Sequence, residues 1–99
     1  MTELWNIFAE ITVQPDDFAS GNTVGFMNII TWADTAETAQ TKIASYFDSF
    51  GWHIVSVQAV KVLDVDHTYE NEEFQDMIAR ASVNPGAILC GTFHSYKVN

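Results

Sequence analysis

Apolar and polar positions alternate from residue 4 to residue 13 (LWNIFAEITV), which sets Trp5, Ile7, Ala9, Ile11 and Val13 on one face of an extended strand. That face is expected to be core. A connection rich in turn residues follows (QPDDFASGN, 14–22), in which Pro15 suits the opening of one short helical turn and Gly21-Asn22 its close. Residues 24–32 (VGFMNIITW) read as a second strand, antiparallel to the first.

The period then changes to that of a helix. Asp34 followed by Glu37 has the spacing of a capping box, and Ala36, Ala39, Ile43, Phe47 and Phe50 form an apolar stripe flanked by Ala44. Gly51 supplies the left-handed residue that ends such a helix. Residues 52–65 (WHIVSVQAVKVLDV) are β-branched and long for one strand, which points to a bulge or bend at Ser56–Gln58. A second helix is predicted to start near Asn71, with Glu72 and Glu73 in its first turn and Phe74, Met77, Ile78 and Ala81 on one side. Asn84-Pro85-Gly86 stops it, and residues 87–96 (AILCGTFHSY) form the last strand.

The order β-β-α-β-α-β predicts an α+β fold: a two-layer α/β sandwich, ferredoxin-like in shape, with a mixed sheet of about four strands and two helices on one face. The usual ferredoxin-like order would require a helix in 15–23 or a turn within 52–65, and neither is signalled. Residues 1–99 are expected to form one domain, since the chain has no linker or low-complexity segment.

Charge narrows the partners. Thirteen acidic residues against four basic ones (Lys42, Lys61, Arg80, Lys97) give a net charge of −9, which repels phosphate backbones and anionic membranes. No nucleic acid and no membrane are therefore expected as partners. The start lacks the basic and apolar regions of a signal peptide, and the lone cysteine, Cys90, sits in an apolar run as a small buried hydrophobe. Cytoplasmic residence is the expectation.

Reactive residues are sparse. The stretch Asp64–Glu73 places oxygens at alternate positions as a calcium loop does, but counting from Asp64 the sixth position is Tyr69 rather than glycine and the twelfth is Gln75 rather than Glu. A solvated surface is expected there, with no metal and no cofactor. His53, His67 and His94 fall in no metal-binding spacing. No nucleophile elbow or phosphate loop is present, and Cys90 and His94 are about 13 Å apart along an extended strand.

The aromatic pattern says more. Leu4 and Phe8 lie on the non-core face of the first strand, and Phe26, Ile30 and Trp32 alternate against Met27 and Ile29 on the second, so both sheet faces are apolar. With both helices on one face, the other must be hidden by a second copy, an apolar ligand or a lid from 14–23. The favoured reading is a non-enzymatic, homo-oligomeric interaction module with Leu4, Phe8, Phe26 and Ile30 at its interface. A protein partner is expected at the acidic segment 64–76. The alternative is a small enzyme or ligand-binding domain with a cleft formed by His53, His94, Tyr96 and Trp32. Mimicry of nucleic acid by the acidic surface is a third reading, resting on charge alone.

Overall fold

The computed structural model describes residues 2–97. The strands β1 (Glu3–Thr12) and β2 (Val24–Ala33) pair antiparallel over their whole length, with Glu3 opposite Ala33 and Thr12 opposite Val24. Helix α1 (Ala36–Asp48) leads to β3 (His53–Leu63), which pairs antiparallel with the other side of β1. Helix α2 (Glu72–Ser82) returns the chain to β4 (Ile88–Cys90) and β5 (His94–Tyr96), both antiparallel to β2. The strand order is β3-β1-β2-β4, with β5 also on β2.

Three features of the expected sandwich are corrected. The sheet is antiparallel throughout and not mixed, because the crossover from β2 through α1 passes over β1, so the parallel strands β2 and β3 are not neighbours. It has five strands rather than about four, because residues 91–93 leave the ladder. Thr92 N–H and its hydroxyl both donate to the Glu73 carboxylate of α2, and Phe93 stacks on Phe18 at 4.6 Å.

The third correction matters most: the helices lie on opposite faces, so the molecule is neither two-layered nor ferredoxin-like. Ile7, Ala9, Ile11, Met27, Ile29 and Ala33 pack with Ala39, Ile43 and Phe47 of α1. Leu4, Ile30 and Leu63 point the other way and pack with Met77, Ile78 and Ala81 of α2. Since neighbouring strand residues point to opposite faces, one face belongs to each helix.

The helix ends follow from local chemistry. Thr35, one residue after the expected Asp34, caps α1 by accepting from Thr38 N–H, while Asp34 accepts from the Thr2 hydroxyl. Gly51, at φ 74°, ends the turn after α1, where Trp52 N–H donates back to Phe47 O. Asn71 caps α2 through Phe74 N–H. The segment 14–23 forms turns without a helix and closes the end of the α1 face: Phe18 packs on Trp52, whose Nε1–H donates to Asp17 at 2.6 Å. No helix among the described residues is long and apolar enough to cross a membrane.

Candidate functional site: the open half of the α2 face

Helix α2, with Tyr69 and Phe74, covers only the end of its sheet face around Leu4, Ile30 and Leu63. Toward the far end of β1 and β2 the same face continues with no helix over it among the described residues. The strand registers set Ser56, Glu10, Phe26 and His94 in one row across four strands, and His53, Thr12, Val24 and Tyr96 in the next. Gly25 makes this end possible: a Cβ there would stand 2.6 Å from His94 O and from Ser95 Cα, so only glycine lets β5 approach β2.

The rings of this surface touch one another. Phe8 and Phe26 stack at 5.7 Å with planes 16° apart, and Tyr96 leans on Phe26 at 5.9 Å. Phe8 and Phe26 are half-buried, and Tyr96 is 41% exposed. The Tyr96 hydroxyl donates to Glu10 Oε2, which raises the phenol above its ordinary pKa, and Ser56 donates to Glu10 Oε1 at 3.5 Å. Asn6 Nδ2 donates to Asn28 Oδ1 at 3.2 Å, and Asn6 Oδ1 is buried with no hydrogen-bond partner among the described residues.

Beside Phe26 a concavity of about 150 Å3 is lined by Asn28, Asn71, Glu73, Phe74, Met77 and His94. The Thr92 hydroxyl and then its backbone N–H hold the Glu73 carboxyl below the usual carboxylate range, so it is anionic at neutral pH.

The candidate ligand-binding residues do not converge. His94 and Tyr96 share the open face, but His53 sits at its far edge, three strand spacings or about 14 Å from Tyr96. Trp32 lies six residues, about 20 Å, along β2 from Phe26, with its Nε1–H donating to Ala81 O and its side chain beside a separate concavity of about 300 Å3 with Thr2, Ser82 and Pro85. Of the interface candidates, Leu4 and Ile30 are fully buried under α2, which leaves Phe8 and Phe26 on the open surface. The sequence reading passed over Glu10, Asn6 and Asn28. Their signal is visible in retrospect, since they are polar interruptions on the second apolar face of two central strands.

Cys90 is exposed on β4, contrary to the buried position expected from its apolar neighbours. Partial desolvation of the thiol still pushes its pKa up to about 11. Among the described residues no group of three or more His, Cys, Asp or Glu side chains is arranged to hold a metal ion. Compared with known proteins, the chain matches no family model, no curated protein and no solved structure.

Proposed function

We propose that this domain is a non-catalytic protein-interaction module that docks a partner polypeptide on the open half of the α2 face. The observation that carries the reading is the contiguous Phe8–Phe26–Tyr96 surface, which no element among the described residues covers, while α2 packs on the end of that face around Leu4, Ile30 and Leu63. Aromatic residues are enriched at protein–protein interaction sites. A small-molecule pocket on this surface is less well supported, since the concavity at His94 holds about 150 Å3 and ordinary ligand pockets start near ~300 Å3.

Area bears on the occupant. Four strands about 4.8 Å apart and four residues of strand length enclose roughly 200–300 Å2, against ~800 Å2 per partner in a stable interface. A segment of another protein suits that area better than a second copy does. Cytosolic residence belongs to the same proposal, because Cys90 has no intrachain partner for a disulfide.

A photo-crosslinking residue at position 8, compared with one at position 41 on the outside of α1, tests the reading in the protein's own cells. A discrete heterologous adduct from position 8 alone, suppressed by excess unmodified domain, is the expected result. Equal adducts from both positions, or none, would refute it, and a covalent self-dimer would restore self-association.

A further inference from the structure

We infer that the occupant of this surface is an arginine side chain of the partner protein, laid on Phe8 and Phe26 with its guanidinium against Glu10; the inference rests on the docking function proposed above. Three observations converge on a planar cation. The first is the aromatic cluster itself, three rings in contact beside Glu10, since an aromatic face attracts positive charge.

The second is the state of Glu10. Glu10 is a half-buried residue in the row between Ser56 and Phe26, and its carboxylate accepts from Tyr96 and Ser56. Those two bonds leave lone pairs free, since a carboxylate offers about four acceptor sites. It has no cation: the one ion pair among the described residues is Asp76 with Arg80, and Lys61 on the same face lies opposite Asn6, four residues or about 13 Å along β1. A negative group with no cation beside it among the described residues is complementary to a positive one from outside.

The third is the surround. Glu73 borders the neighbouring concavity, Asn28 contributes an amide to it, and the acidic segment 64–76 runs into it through Glu73, so the approach is negative on that side. A second copy, itself carrying a net charge of −9, would bring like charge to this surface. Guanidinium fits better than ammonium because it is flat enough to stack, is weakly hydrated, and carries five N–H donors in a fork that matches a carboxylate such as Glu10.

The test is a 1H–15N NMR titration of the labelled domain with the peptide acetyl-Gly-Arg-Gly-amide, with its lysine counterpart, and with its citrulline counterpart, which keeps the shape without the charge. The expected shifts centre on Phe8, Glu10, Phe26 and Tyr96, with lysine weaker and citrulline weaker by at least about tenfold. Glu10→Gln should lose a similar factor, whereas Glu37→Gln on the outside of α1 should lose none. Citrulline binding as well as arginine, shifts spread over 64–76, or no saturable shift at millimolar peptide would each overturn the inference. The comparison of peptides on the unaltered protein decides the matter even if Glu10→Gln fails to fold. A heterologous crosslink at position 8 without arginine selectivity would remove this inference and leave the docking function standing, whereas loss of the crosslink would remove both.

Discussion

The Phe47 ring is fully buried between α1 and the sheet, 5.3 Å from the Trp52 ring. Phe47→Ala should therefore cost ~3–5 kcal/mol, the lost transfer energy plus an unfilled cavity. Lys42→Ala removes only the bond from Nζ to Trp32 O, at a cost of about 1 kcal/mol or less. Urea melts of the two variants check the contrast, and equal effects would mean that Phe47 is not at the centre of this core. Cys90 gives a second test: a thiol pushed up to about 11 from an ordinary 9.0 carries roughly a hundredfold less thiolate near neutral pH. Iodoacetamide should alkylate it far more slowly than a free peptide cysteine, with a rate still climbing above pH 9. The sequence showed both residues but placed only Phe47 correctly. A helical stripe of five positions averages out local error, whereas the burial of one residue on a three-residue edge strand depends on where the helices lie. Phe50 fails for a related reason, since the chain has already left α1 at Asp48 and the ring is 45% exposed.

Among the elements, those with their own punctuation were legible: the paired strands, the Asn71 cap, the Gly51 stop and the irregularity within 52–65. The β1–β3 register slips twice, so that Val55 and Gln58 stand opposite no residue of β1. The break between β4 and β5 was not legible, because it is made by a side chain distant in sequence, Glu73, capturing the Thr92 N–H. Glu73→Gln should loosen this break in a pH-dependent way. The carboxylate is favoured in the folded state, so its contribution is complete above the ordinary 4.5 and is lost as pH falls through the lowered folded value. Thermal melts should separate wild type from Glu73→Gln at pH 7 and converge in acid; a gap that persists in acid would show that the charge is not responsible. Gly25→Ala should act more severely, since its methyl would meet the backbone of β5 at 2.6 Å. Amide exchange should show β5 unpaired, with Tyr96 freed from Glu10, while α1 stays protected.

At the scale of the whole molecule, alternation revealed that both sheet faces are apolar but not which helix covers which face. That choice depends on the crossovers, and both helices carry apolar stripes that fit either side. Leu4 and Ile30 thus passed from expected interface to core, and the open surface shrank to the end around Phe8 and Phe26. Charge was fully legible, and its consequence is testable on the intact protein. Six of the thirteen acidic residues lie between Asp64 and Asp76 with no Lys or Arg among them. The ion pair from Asp76 to Arg80 spans 3.8 Å between exposed side chains and offsets little. Repulsion within this segment opposes folding, and it weakens as the Debye length falls from ~10 Å at 0.1 M salt toward ~3 Å at 1 M. Sodium chloride should therefore raise the melting temperature by a few degrees, and calcium at matched ionic strength should add nothing. Asp64→Asn with Asp66→Asn should raise the low-salt melting temperature and flatten its salt dependence. A melting temperature that falls with salt would mean that attraction dominates the surface, and a saturable calcium effect lost in the double variant would assign the segment to an ion.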